Sequence, residues 1–282
     1  MIDKYPINTK DLHIFIVGSN ARLAKAIIKY YKNCEIILIE REVYRGWGNV
    51  ESRESIFNFF KNKLCENSII FITSGILNSK EDFKSIESVN YYLPWNIIRA
   101  LEGIDSRIIT FGTILEKIRN TQNSYIKSKI KLSDKIEKFK SNTTNVTHFQ
   151  LHTLYGYGLP SSFMFLGQIY NSLKNNLEFK MSSGFQFREY HHLDDVVKSV
   201  DFILSHNEKG VIEITSGNGI MLRNLALEIF KKFKCRSLLK ISAINDIKNE
   251  KLSNDYQKNN NLKNIDFRDP IEGVCHYLES IL

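Results

Sequence analysis

Tyr125 and Lys129 stand four residues apart in Tyr125-Ile126-Lys127-Ser128-Lys129. On a helix that spacing puts both side chains on one face. An ammonium beside a phenol favours the phenolate and lowers the phenol from its ordinary value of about 10. A phenol tuned this way exchanges a proton with a carbonyl or alcohol oxygen. Thr113 ends the run Ile108-Ile109-Thr110-Phe111-Gly112-Thr113, twelve residues before Tyr125. A hydroxyl at the C-terminal end of a parallel strand sits where ligands bind in an open α/β sheet. Thr113 is thus the candidate to hydrogen-bond the oxygen that the tyrosine serves. Thr110 competes for that role, but its place inside the run predicts burial. A lysine-rich helix also produces Y-x-x-x-K by composition, as Lys127 shows, so the elements that position these residues decide the matter.

Those elements alternate. His13–Val17, Ile36–Ile39, Ile69–Thr73, Ile108–Phe111 and Thr147–Leu151 read as strands. Helical periodicity fills 21–33, 52–64, 80–102 and 122–140 between them. Strand–helix repeats imply right-handed βαβ units and a parallel sheet. Continuous apolar strands place cover on both sheet faces. The fold class is therefore α/β, a Rossmann-type doubly wound parallel sheet. Residues 1–157 are expected to form the nucleotide-binding domain. After 157 the pattern loosens into helices near 161–175 and 222–233 and a strand at Val211–Thr215. Residues 158–282 are expected to form a smaller substrate-binding region interleaved with the first domain.

The first strand runs into Gly18-Ser19-Asn20-Ala21-Arg22-Leu23-Ala24 and then a helix. In a dinucleotide-binding unit such a turn lets backbone and helix N-terminus approach a pyrophosphate. The three small positions are Gly18, Ala21 and Ala24, and only the first is glycine. Ala21 adds a methyl where backbone and phosphate must meet. The second strand ends in Glu40 and Arg41. An acid there pairs with the ribose hydroxyls of NAD, whereas Arg41, or Arg22 in the turn, suits the 2′-phosphate of NADP. Both cofactors remain open on these residues.

Composition excludes several classes. The 282-residue chain is 43% hydrophobic and 25% charged, as expected of a globular protein with a sizeable core. No apolar run approaches the ~18 residues of a membrane span. Met1-Ile2-Asp3-Lys4-Tyr5-Pro6 lacks the look of a secretory leader. Four scattered cysteines form no C-x-x-C pair, which argues against zinc and suits a reducing cytoplasm. The Asn142-Thr143-Thr144 and Asn145-Val146-Thr147 sequons are meaningless without secretion. A net charge of +8 fits a phosphorylated small substrate, and no aromatic-interleaved basic motif speaks for nucleic acid. His191 and His192 are adjacent, point opposite ways on an extended segment and lack a third ligand, so no metal is expected.

Taken in order, several segments resemble the extended short-chain dehydrogenase/reductase family, in its nucleotide-sugar epimerase/dehydratase/reductase branch. They are Gly18–Ala24, Phe71-Ile72-Thr73-Ser74-Gly75, Val89-Asn90, Phe111-Gly112-Thr113, Tyr125 with Lys129, Leu154-Tyr155-Gly156, Arg188–Val196 and Ile212–Gly217. The resemblance implies Tyr125 as acid/base, Lys129 as its activator and ribose ligand, and Thr113 as the hydrogen-bonding hydroxyl. It places Ser74 along the cofactor and Tyr155 near the nicotinamide. It makes Arg188 the candidate for a sugar-nucleotide diphosphate, against a structural ion pair with Asp194 or Asp195. It also implies a homodimer through the helices of 80–102 and 122–140. The Thr113 region lacks the Asp-Glu pair that dehydratases of this branch place after the threonine. That leaves NAD(P)H-dependent reduction of a 4-keto sugar nucleotide, with NADP(H) favoured, ahead of an NAD-dependent 4-epimerase. A non-catalytic NAD(P)-binding regulator is the third reading. The loose turn favours a cofactor that exchanges, hence the reductase.

Overall fold

A computed structural model describes residues 12–65, 67–141, 144–246 and 252–282. The expectations resting on Met1–Pro6 and on the Asn142–Thr144 sequon lie outside the described residues. The chain divides into two compact units. One comprises the residues through Leu151 together with Val200–Glu213; the other comprises His152–Ser199 and Ile214–Leu282.

The first unit is the parallel sheet and its helices. Its strands are β1 (His13–Val17), β2 (Glu35–Ile39), β3 (Ser68–Ile72), β4 (Ser106–Thr113), β5 (Thr144–Leu151) and the late strand Gly210–Glu213. Their order across the sheet is Gly210–Glu213, β5, β4, β3, β1, β2, and every pair is parallel. This is the Rossmann-type fold read from the sequence. The order turns back at β1, which pairs with β2 on one side and β3 on the other. Crevices at such switch points receive ligands in open α/β sheets. Val17 is level with both Ile39 and Ile72, so three strand ends finish side by side. Phe15, Ile16, Ile70, Phe71, Ile108 and Ile109 are wholly buried, as strands covered on both faces require.

Helices α1 (Arg22–Tyr30), α2 (Arg41–Tyr44), α3 (Arg53–Phe60), α4 (Phe83–Glu87), α5 (Leu93–Ala100) and α6 (Ser124–Lys138) flank this sheet. The helix expected over 80–102 is not continuous. A π-turn at Ser88–Tyr92 separates α4 from α5, and Pro94 opens α5. Proline has no N–H to return to the carbonyl four residues back, which is that of Asn90. The ladder loosens there, as π-turns at functional sites often do. Tyr30 and Tyr31 at the end of α1 donate to the two oxygens of Asp201, at 3.0 and 2.6 Å, tying the returning segment to the sheet's helices.

The second unit holds α7 (Phe165–Asn175), most of α8 (Leu193–Ser205), α9 (Leu222–Lys232) and α10 (Pro270–Ile281). Three two-strand ribbons accompany them: Thr153–Tyr155 with Tyr190–His192, Phe187–Arg188 with Ile220–Met221, and Phe179–Lys180 with Leu239–Lys240. Its core gathers Tyr155, Ile169, Phe179, Leu225, Ile229, Phe230, Val274 and Leu278. The sequence reading did not include α8 and α10. In α10, Asp269 caps the N-terminus by accepting from Ile271 and Glu272 N–H, and Pro270 takes the first position, where its missing N–H costs nothing.

Phe60 is wholly buried and meets the rings of Phe15, Trp47 and Phe59 at 5.0–5.7 Å. Phe60→Ala is expected to cost about 3–5 kcal/mol of stability, read from denaturant unfolding. A loss below about 1 kcal/mol would show that the aromatic cluster under β1 does not carry the unit.

Candidate active site

The turn after β1 is built by Gly18, whose φ of +95° lies where only glycine is comfortable. A side chain there would also collide, since a Cβ would lie 2.5 Å from both the Ser74 nitrogen and the Ser74 Oγ. Gly18 carbonyl accepts from Ala21 N–H at 3.1 Å, which closes the turn. Ala21 then enters α1 with no side-chain cap, and no acid sits in the first helical turn. The unsatisfied N–H groups and the helix dipole make that end an anion site. Asn20 is exposed, Ala21 and Arg22 are partly exposed, and Leu23 is buried toward the sheet. Glu40 and Arg41 are exposed just past Ile39, whose pairing with Val17 sets them on the same edge as the turn.

The loop after β3 is fastened onto this turn. Thr73 and Ser74 N–H both donate to the Val17 carbonyl, at 2.9 and 3.1 Å. Thr73 Oγ1 reaches the Val17 and Gly18 carbonyls at 3.0 and 2.9 Å. The loop's next residues are held by Asn90, which is wholly buried on the π-turn. Its side chain accepts from Ile76 N–H at 2.8 Å and donates to the Ile76 carbonyl at 2.9 Å and to Ser128 Oγ at 3.2 Å. Ser128 lies on α6 beside Lys129. A Cβ on Gly75 would stand 4.0 Å from Lys129 Nζ. One continuous seam therefore runs from the phosphate turn through Ser74 and Gly75 to the lysine.

Asn123 caps α6 by accepting from Ile126 N–H at 3.2 Å, and the helix carries Tyr125 and Lys129 one turn apart. Lys129 is buried and donates to the Phe111 carbonyl of β4 at 2.7 Å. Burial lowers its ammonium to about 8, against an opposing pull from Glu116. Thr113 is the last residue of β4, which is longer than the sequence suggested. It caps a 3-10 turn at Ile114–Lys117, and its hydroxyl accepts from Leu115 N–H at 3.3 Å. Thr110 is buried inside β4, with Oγ1 2.7 Å from His148 Nδ1.

One expectation is corrected here. The lysine was expected to lower the Tyr125 phenol. Instead burial, and then the Glu116 carboxylate, raise it above its ordinary value. Tyr125 thus holds its proton at neutral pH. Glu116 was missed by the sequence reading. The signal was a capping box, Thr113-x-x-Glu116, directly after an apolar strand.

The expected residues of the second unit form their own arrangement. Tyr155, expected near the nicotinamide, is a core residue. Its ring is wholly buried, packs edge-on to His192 at 5.2 Å, and its oxygen abuts Gly273 of α10, where a Cβ would lie 2.0 Å away. Arg188 donates to the Phe187 carbonyl at 2.8 Å. Asp194 and Asp195, considered as its partners, are paired with Arg268 at 3.3 and 3.8 Å. Glu189 is wholly buried and accepts from His191 Nε2, Thr215 Oγ1, Ser216 N–H and Gly217 N–H at 2.8–3.0 Å. Burial would raise this acid, but those donors hold it at about 2. Much of the Arg188–Val196 segment is therefore structural.

The first unit fits a nicotinamide dinucleotide. Ser74 Oγ is buried without a hydrogen-bond partner beside Gly18, and the α1 N-terminus has no side-chain cap. An orphaned hydroxyl next to an uncapped helix end matches a ribose and a pyrophosphate.

A glycine turn at the switch point of a six-strand parallel sheet defines a Rossmann-type dinucleotide-binding protein. A family model narrows this, matching residues 14–215 to the "NAD dependent epimerase/dehydratase family". The chain belongs to that family. Solved structures share the fold throughout. A GDP-6-OMe-4-keto-L-xylo-heptose reductase from C. jejuni superposes with a TM-score of 0.77 at 15% identity, covering 98% of each chain. A dTDP-4-dehydrorhamnose reductase from Clostridium acetobutylicum gives 0.71 at 17% identity, covering 95% of this chain and 99% of that one. MoeE5 in complex with UDP-glucose and NAD gives 0.73 at 14%, covering 95% and 97%. Among curated proteins, the voltage-dependent calcium channel unc-36 of Caenorhabditis elegans is 23% identical over 188 residues. That match spans 64% of this chain but 15% of the channel protein, too little to carry its activity across. Among the described residues no helix is long and apolar enough to cross a membrane.

Lys129→Met tests the burial of the charge. The folded lysine at about 8 lies below its ordinary 10.5, so between those values the unfolded chain binds a proton that the folded chain does not. Wild-type stability therefore rises with pH across that window. The variant is expected to melt above wild type at about pH 7, with an advantage that shrinks from about pH 8 upward. Thermal melts across that range check it, and a pH-independent difference would mean that Lys129 titrates alike in the folded and unfolded chains, so that burial does not lower it.

Proposed function

We propose that the protein reduces a 4-keto (deoxy)sugar nucleotide with NAD(P)H, and that Tyr125 supplies the proton. The observation that carries this reading is the buried, partnerless Ser74 hydroxyl, which lies against the Gly18 turn and immediately precedes Gly75, where a Cβ would stand 4.0 Å from Lys129 Nζ. A dinucleotide laid along that seam would have its phosphates at α1 and its nicotinamide end toward α6. Gly18, Asn20, Ala21, Arg22 and Leu23 would line the phosphates, and Ser74 and Lys129 the ribose. Arg22 and Arg41 favour a 2′-phosphate, hence NADP(H); Glu40 offers the NAD alternative.

Bound there, the nicotinamide supplies a hydride to the carbonyl carbon. Thr113 donates its hydroxyl proton in a hydrogen bond to the carbonyl oxygen, while its lone pair stays on Leu115 N–H. Tyr125 passes its proton to the same oxygen as the C=O π pair becomes the O–H bond. Lys129 holds the phenolate that remains until water returns the proton. The Arg188 guanidinium of the second unit suits the nucleoside diphosphate. The reductases among the structural neighbours, and a turn in which Ala21 replaces glycine, support an exchanging cofactor and thus reduction over epimerisation.

Tyr125→Phe is expected to lower turnover of a 4-keto sugar nucleotide by at least about 100-fold, while NADPH still binds. Calorimetric titration of cofactor-stripped protein with NADPH and NADH, beside an NADPH-oxidation assay, checks both halves. NAD retained tightly through purification would favour the epimerase, and binding of neither cofactor would overturn the reading. A cellular role unaffected by Tyr125→Phe would favour the regulatory binder.

A further inference from the structure

Glu116 is a carboxylate buried to 1% exposure, and every contact it makes lies at the C-terminal edge of the sheet. Its Oε1 accepts from Thr113 N–H at 2.7 Å. Its Oε2 accepts from Gln150 Nε2 at 2.9 Å and meets His148 Nε2 at 3.2 Å. His148 is itself wholly buried, and its Nδ1 faces Thr110 Oγ1 at 2.7 Å. With Thr110 donating its hydroxyl proton to Nδ1 and Nε2–H donating to Glu116, each of these groups has a partner. Burial alone would raise the Glu116 acid, but the hydrogen bond and electrostatic attraction of His148, and then the bonds from Gln150 and Thr113, hold it below the usual carboxylate range.

The strand is shaped to admit this carboxylate. A Cβ on Gly112 would lie 2.0 Å from Glu116 Oε1 and 2.3 Å from His148 Nε2. Gly112 is flanked by Phe111, whose carbonyl receives Lys129 Nζ, and Thr113, whose N–H binds Glu116. The catalytic lysine and the buried acid are therefore anchored two residues apart on one strand. A capping box on an exposed turn needs no such network of donors from a neighbouring strand.

We propose, resting on the reductase reading above, that Glu116 is a positioning residue for proton supply: its fixed negative charge beneath the site keeps both the Tyr125 phenol and the Lys129 ammonium protonated, so that the pair works as a proton donor to a ketone. The charged and titratable groups that face it are His148 from β5, Tyr125 and Lys129 from α6, and Arg119 beyond the 3-10 turn, on which Glu116 also acts. Its charge raises the phenol and opposes the fall of the lysine, so both effects have one sign. No oxidant or further acid is required, since the proton that Tyr125 gives up returns from water.

The test compares wild type, Glu116→Gln and Glu116→Asp by two readouts. The first is the ultraviolet titration of Tyr125, taken as the difference between each protein and its own Tyr125→Phe counterpart. The second is the pH profile of kcat/KM for ketone reduction. Glu116→Gln is expected to move the phenolate titration and the basic limb of the profile down by about one pH unit or more, and Glu116→Asp to restore most of the shift. A loss of rate equal at every pH, with both titrations unmoved, would reduce Glu116 to a helix cap and overturn the proposal. Should Glu116→Gln not fold, Glu116→Leu/His148→Phe/Gln150→Leu removes the charge together with the two side chains that bond it, and the same downward shift is expected of it. Should wild type reduce no keto sugar nucleotide, the functional reading fails, while the phenol titration still decides the role of Glu116.

Discussion

The Val17 carbonyl is the hinge of the whole arrangement. It ends the central strand and accepts from Thr73 N–H, Ser74 N–H and Thr73 Oγ1 within 3.1 Å. That convergence pins the loop after β3 across the turn after β1, with no room for a side chain on Gly18. The dinucleotide turn and the loop that leads to Lys129 are therefore one object. It exists because the sheet order turns back at β1, which brings the ends of β1 and β3 level. Parallel strands enforce this: their C-terminal ends share one edge, and that edge must then be closed by polar loops.

Closing such an edge buries polar groups, and the chain answers several of them with partners. Asn90 spends both ends of its amide on Ile76 and Ser128, tying the loop to α6. The π-turn before Pro94 is where this asparagine sits, so a flaw in helical regularity supplies a positioning group. Glu189 does comparable work inside the second unit, where its carboxylate gathers two backbone N–H groups, a hydroxyl and an imidazole. Ser74 Oγ is one of four buried side-chain polar atoms without a hydrogen-bond partner among the described residues, and it is the one beside the Gly18 turn. A buried hydroxyl without a partner carries a penalty of about 1–3 kcal/mol. Native proteins keep few such groups, and one beside the Gly18 turn fits the proposed dinucleotide.

The alternation of apolar runs with helical periods was enough to give the sheet, its parallel sense and the Gly18 turn, because continuous strands and their punctuation are local properties. The second unit was harder. Its strands are two or three residues long, and their pairing partners lie far away in sequence, so no local period announces them. Helix α8 has a clear apolar stripe at Leu193, Val196, Val197, Val200, Ile203 and Leu204, yet it sat under a segment already read as a ligand motif. The surroundings of Tyr155 were hidden for a related reason: its likeness to a family segment gave its place along the chain, but burial against Gly273 depends on α10, over one hundred residues later. Glu116 went unread because a capping box looks the same whether its acid meets water or a neighbouring strand's histidine.

That last distinction decides what the Y-x-x-x-K pair can do. In water, a lysine one turn from a tyrosine would draw the phenol toward the phenolate. Here the lysine's own charge is weakened by burial and engaged by the Phe111 carbonyl, while a fully bonded carboxylate is anchored two residues along the same strand. The balance of fixed charge therefore favours retained protons. A site that begins each cycle with a phenol in hand is matched to a substrate that arrives as a ketone. One that must first remove a proton from an alcohol would have to work against the same field. Spacing alone is indifferent to that choice; it is made by the residue at Gly112, where the absence of a side chain lets the acid approach.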